Sequence, residues 1–174
     1  GAIKMKTLIL LTTIFSFNAF AASLKIKKSE VSWVATGYPG FLSIEGSGGK
    51  ITAEHLKIED NYLSGYFKVL VKDFKTGMDL RDQHMLNYLE SETYPYAYLK
   101  IDKKPLNSQV FKGYLQIKEN KKVIVGNLEI KGSKVSGSFN INLNDFPAIG
   151  APSWRGISIA DEVTIKVNAD IAHD

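Results

Sequence analysis

The 174-residue sequence contains no cysteine. Thiolate metal sites and thiol nucleophiles are thereby excluded, and in an oxidising compartment stability has to come from burial rather than disulfides. Arginine is almost as scarce, with only Arg81 and Arg155. The other basic residues are lysines, scattered singly or in pairs such as Lys27-Lys28, Lys103-Lys104 and Lys121-Lys122. That distribution reads as a solvated basic surface, not as the clustered stripe that tracks phosphates, so no nucleic-acid partner is expected. The three histidines, His55, His84 and His173, lie far apart without HxxxH spacing, which argues against a metal centre. There is no GxSxG and no glycine-rich loop opening a helix. Gly46-Ser47-Gly48-Gly49 falls between strand-like stretches and reads as a hairpin turn. With no catalytic set in view, the chain reads as a non-enzyme without a cofactor.

Long hydrophobic runs are also missing, with one exception. Met5-Lys6 is followed by an apolar run from Leu8 to Phe20 that ends in Ala19-Phe20-Ala21. A positive start, a short apolar stretch and a small-x-small site are the parts of a secretory signal peptide, expected to be cut after Ala21 or Ala22. The run falls short of the roughly 20 residues of a membrane span and contains Asn18. Gly1-Ala2-Ile3-Lys4 read as residues added ahead of the natural start. The expected organisation is therefore an added leader at 1–4, a signal peptide at 5–22 and one domain at 23–174, exported to the periplasm. Without Lys4 and Lys6 the basic count falls from 22 to 20 against 18 acids, a net charge of only about +2.

What the chain does have is alternation. Val31, Trp33 and Ala35 alternate with Ser32 and Thr36; Leu63, Gly65, Phe67, Val69 and Val71 alternate with Tyr62, Ser64, Tyr66, Lys68 and Lys72. The same period recurs near 111–118, 124–131, 135–144 and 163–171. Period two over eight or more residues means strands with one apolar and one polar face. Short joints at Glu59-Asp60-Asn61, Glu119-Asn120-Lys121 and Lys131-Gly132-Ser133 make an antiparallel meander. With stretches near 40–47, 48–58 and 95–105 the count is about eight strands. Gly65, Gly113, Gly126 and Gly137 fall mid-strand on the apolar phase. Such glycines serve the coiling of a closing sheet, or they remove volume and leave a dry channel. One segment differs: Met78 to Glu90 carries a helical stripe of about three turns through Leu80, His84 or Met85, and Tyr88 or Leu89.

Phe74-Lys75-Thr76-Gly77, then Leu80-Arg81-Asp82-Gln83-His84-Met85, then Leu89 through Tyr94-Pro95, resemble the YceI-like family. Gly113-Tyr114-Leu115-Gln116-Ile117, Gly126-Asn127-Leu128-Glu129-Ile130, Asn144-Asp145-Phe146 and Ile159-Ala160-Asp161-Glu162-Val163 extend the resemblance from about Ser29 to Ile171. Met85 stands where leucine is common, and the helix exit reads Asn87-Tyr88-Leu89-Glu90 instead of an Asp-Phe-Phe-Asp type. The resemblance implies an all-β, eight-stranded antiparallel lipocalin-like barrel with one short helix near 79–90. It further implies a barrel that is usually exported and binds a polyisoprenoid chain or quinone-like tail, with no established catalysis.

On this reading a long isoprenoid or other apolar lipid contacts Phe67, Val69, Leu99, Phe111, Leu115, Ile117, Leu128, Phe139 and Ile141 in the barrel. Leu80, Arg81, His84, Met85 and Trp154 join them at the mouth. Arg81, Asp82 and His84 share one helical turn, and either pin the helix by local capping or meet a polar head group. A transient membrane contact and a homodimer are both compatible with this picture. Two rivals remain: an outer-membrane barrel, which inverts the pattern to apolar outside and polar within, and a ligand-free domain that binds a partner.

Overall fold

A computed structural model describes residues 21–40 and 42–174, with the Trp154 side chain left out. The signal-like run therefore lies outside the described residues. Among them are ten strands: β1 Ala22–Tyr38, β2 Leu42–Ser47, β3 Ile51–Glu59, β4 Tyr62–Leu70, β5 Tyr96–Pro105, β6 Val110–Ile117, β7 Asn120–Lys131, β8 Lys134–Asn142, β9 Ser153–Trp154 and β10 Ile157–His173. One α-helix, α1, Asp79–Tyr88, stands between β4 and β5.

Eight of these strands close an antiparallel barrel. β3 to β8 pair in chain order, β8 pairs with β10, and β1 pairs with β10 from Leu24 opposite His173 to Tyr38 opposite Ser158. The apolar phase turns inward and most of the lysine-bearing phase turns outward, the reverse of an outer-membrane barrel. Inside, Ile101, Phe111, Leu115, Ile124, Phe139, Ile141 and Val163 form the larger core cluster. Leu24, Leu56 and Leu63 pack at the end where β1 begins and β10 finishes.

Tight joints follow the residue chemistry. Asp60 and Asn61 both take positive φ, 51° and 64°, the two-residue turn that Asx side chains tolerate. The next turn falls one residue earlier than expected, on Lys118-Glu119, with Lys118 at φ 54°.

The Gly46–Gly49 stretch is not a hairpin turn. β2 and β3 both run antiparallel to β1, β2 against Ser32–Gly37 and β3 against Ala22–Ser23, so the glycines kink one continuous edge. Close approach explains them: a Cβ on Gly46 would lie 2.0 Å from the Trp33 ring, and one on Gly48 would lie 2.1 Å from the Asp73 carbonyl oxygen. The segment after β4, a 3-10 turn at Val71–Asp73 followed by Phe74, packs into that kink. Lys75 then bridges to Ser47.

The helix is shorter than its sequence stripe, which extends to Glu90. Asp79 and Asp82 in its first turn complement the helix dipole.

Candidate functional site

The barrel interior contains a cavity of about 180 Å³. Its wall comes mainly from inward positions on β1, β3 to β8 and β10, joined by Phe74 and, from the outward phase of β4 and β5, by Lys68 and Tyr98. Nine of the fourteen expected contacts line it: Phe67, Val69, Leu99, Phe111, Leu115, Ile117, Leu128, Phe139 and Ile141. Phe111 and Phe139 meet edge to face, with ring centroids 6.1 Å apart. The lining runs from Ile51, Phe74 and Ile117 at the helix-bearing end to Ile26, Leu56 and Ile171 at the other.

Sequence reasoning missed part of the wall. Trp33, Ile165 and Val167 belong to the alternating apolar phase, so the signal was present. Phe74 lies outside any periodic segment, and only its packing reveals it.

The mid-strand glycines divide. A Cβ on Gly65 would meet the Phe67 ring at 2.9 Å, and one on Gly113 the Lys100 carbonyl oxygen at 2.8 Å. At Gly126 it would meet the Ser138 carbonyl oxygen at 2.5 Å and Phe111 at 2.8 Å. These three admit neighbouring backbone or rings and do not open a channel. Gly137 alone of the four lines the cavity.

The helix residues do not reach the cavity. Leu80 is exposed, as is His84, and Met85 is half-buried. Arg81 spends its guanidinium on Thr76: Nε donates to Oγ1 at 2.9 Å and Nη2 to the carbonyl oxygen at 2.7 Å. Buried Asp82 accepts from the Thr76 amide at 2.7 Å and from its hydroxyl at 2.5 Å. Arg81 and Asp82 therefore hold the 75–77 loop against α1, which is the local capping alternative. Trp154 lies in β9 opposite Ile157, and its side chain is outside the description.

The two ends of the barrel are built differently. At the helix end Tyr88, Leu89, Leu143, Phe146 and Ile149 pack on the core. Buried Lys118 ties that cover together, donating to Glu90 Oε1 at 2.7 Å, to the Tyr88 carbonyl at 3.4 Å and to the Ala148 carbonyl. Tyr88 Oη in turn accepts from the Ser153 amide at 3.3 Å. At the far end Lys104 is only 2% exposed and donates to the carbonyls of Pro105, at 2.9 Å, and Ser108, at 2.6 Å. Burial lowers its pKa from the usual lysine value. Both lysines correct the expectation of a wholly solvated basic surface. Among the described residues no three His, Asp or Glu side chains converge where a metal ion would sit.

An apolar cavity inside an eight-stranded barrel with one short helix between β4 and β5 is the arrangement the sequence motifs imply, and the sequence matches the model of the YceI-like domain over residues 20–171. The chain belongs to the YceI-like family. Solved structures share the fold, among them three that span most of this chain. One is BcnA of Burkholderia cenocepacia, 22% identical, covering 83% of this chain and 96% of that one, with a TM-score of 0.65. Another is a polyisoprenoid binding domain from Saccharophagus degradans implicated in plant cell wall breakdown, 12% identical, covering 88% and 99%, TM-score 0.64. The third is the YceI protein of Campylobacter jejuni, 16% identical, covering 99% of both chains, TM-score 0.59. No curated protein matches the sequence significantly.

Proposed function

We propose that this YceI-like chain is a periplasmic binding protein that holds the tail of a long isoprenoid lipid in its barrel and performs no catalysis. The observation that carries this reading is the apolar cavity lined from one end of the barrel to the other. Apart from Lys68 and Tyr98, the side chains of this wall offer water almost no hydrogen-bond partners, whereas a hydrocarbon gains about 0.8 kcal/mol for each methylene removed from water. A solved relative of the same fold is described as a polyisoprenoid binding domain, which favours an isoprenoid over other apolar ligands. The signal-like run supports export to the periplasm, where a carrier, store or sensor of such a lipid would work. A volume of 180 Å³ is close to that of a dry apolar cavity of about 150 Å³ that takes up one benzene. A tail of dozens of carbons exceeds it, so loading displaces side chains of the wall or leaves part of the tail outside.

Mass spectrometry of an organic extract of the protein purified from bacteria tests the reading. A stoichiometric isoprenoid is expected. It should be depleted at least tenfold in Gly137→Leu and Ala97→Trp, which add volume to the wall without adding charge. A clean extract, together with no uptake of isoprenoid quinones or polyprenyl phosphates, would overturn it.

A further inference from the structure

The outside of the barrel is not uniform. On β8 and β10 the outward residues are polar and bonded to one another: Asn140 contacts Glu162 and Thr164, and Lys134 pairs with Asp170. On β6 and β7 they are not. Val110 is 52% exposed, Tyr114 40%, Val123 50% and Val125 59%, and the ladder sets Tyr114 beside Val123 and Lys112 beside Val125. β propensity explains a valine in a strand, but it acts equally on both sides of the barrel and does not explain this asymmetry. A contiguous apolar face of this kind marks a contact surface.

Its charge selects the partner. The outward positions from Val110 to Gln116 and from Lys121 to Asn127 hold two lysines and no acid. Lys112 and Lys121 form no ion pair among the described residues, and Lys121 lies 5.0 Å from the centre of the Tyr114 ring. The acids that border the face are already engaged: Glu119, in the β6–β7 turn, by the Tyr94 hydroxyl, Asp102 by Lys100 at 2.8 Å and Glu129 by Lys131 at 3.1 Å. The face continues through Lys100, opposite Tyr114, to Tyr66, which stacks on Tyr98 at 5.5 Å. Tyrosines whose rings are apolar and whose hydroxyls are wet suit the head-group level of a bilayer, and lysines beside them suit anionic lipid.

We infer that the outer face of β6 and β7 docks the protein on an anionic lipid bilayer. The valines enter the interface, the tyrosines sit at its edge, and Lys112 and Lys121 meet lipid phosphates. This contact is separate from the contents of the barrel: vesicle binding by a protein whose extract is clean would sink the ligand reading alone.

The absence of cysteine allows a direct test on the full chain. Single cysteines at Val125 and at Ser136, on the polar side, carry an environment-sensitive dye. Vesicles of three parts phosphatidylcholine to one part phosphatidylglycerol should shift the dye at position 125 to the blue and leave that at 136 unmoved. Salt or pure phosphatidylcholine should abolish the shift. K112E/K121E should weaken binding roughly tenfold or more, since each lysine at an anionic surface contributes about one kcal/mol. Equal responses at both positions, or none, would overturn the inference. So would a shift at 125 that follows protein concentration without vesicles, because a second copy of the chain would then be what covers the face.

Discussion

Lys104 and Lys118 carry charge into the barrel ends, and they are held in different ways. Lys118 has a carboxylate, Glu90, and two carbonyls, and through them it joins the helix exit to the 147–149 turn. Lys104 has carbonyls only. A bulge in β5 after Ile101 shifts the phase of the strand and places Lys104 opposite inward-facing Leu63, so a residue of a paired-lysine stretch ends up inside. Its pKa is lowered by burial, so the folded chain releases this proton at a pH where the unfolded chain still holds it. Between the lowered value and the unfolded value of about 10.4, the unfolded state binds more protons, and stability from this group rises with pH. The urea midpoint of the parent, minus that of Lys104→Met, should therefore increase from neutral pH to about pH 10. A difference that stays flat or falls would show that the burial cost has been relieved by some other route.

At the scale of the strand, two glycines two rungs apart in the β7–β8 ladder make opposite forecasts. Gly126 faces Phe139, and its missing side chain is the space taken by the Ser138 carbonyl and the Phe111 ring. Gly126→Ala drives a methyl into backbone and should cost about 1–3 kcal/mol. Gly137 meets nothing nearer than the Asn127 carbonyl at 3.3 Å, so Gly137→Ala should stay within about 1 kcal/mol of the parent. Denaturant titration of both variants checks the contrast; equal losses would contradict the assigned packing. The sequence could not separate the two, because both fall on the apolar phase of a strand. It did make the strands legible, and with them the nine cavity contacts from Phe67 to Ile141, because strict alternation converts position directly into face. Where the phase slips, at Ile26/Lys28, Ala35/Gly37, Glu54/Lys57 and Leu63/Gly65, that conversion fails. The helix was legible as a helix but not as a surface. Whether Arg81 reaches a ligand or its own loop depends on where Thr76 lies, a fact of tertiary packing that no spacing within α1 encodes.

The barrel as a whole is closed unevenly. β8 and β10 pair without interruption from Asn142 opposite Glu162 to Lys134 opposite Asp170. β1 instead divides its free edge between β2 and β3 and meets β3 in register only at Ala22 and Ser23. Higher up, the Ile51 amide is held by the Ser29 hydroxyl at 2.9 Å. Ile26 and Val31 on one side of this seam and Ile51 and Leu56 on the other all line the cavity. Local opening takes the route with the fewest backbone hydrogen bonds to break, so the β1–β3 seam is where the cavity wall should part first. Native-state hydrogen exchange should find β3 amides that point toward β1 less protected than those of β8 and β10. Ser29→Ala should remove protection at Ile51 while leaving β8 unchanged. If β3 and β8 instead exchange at one common rate, opening is global, and the narrow seam is held as firmly by side-chain packing as the continuous ladders are by their hydrogen bonds.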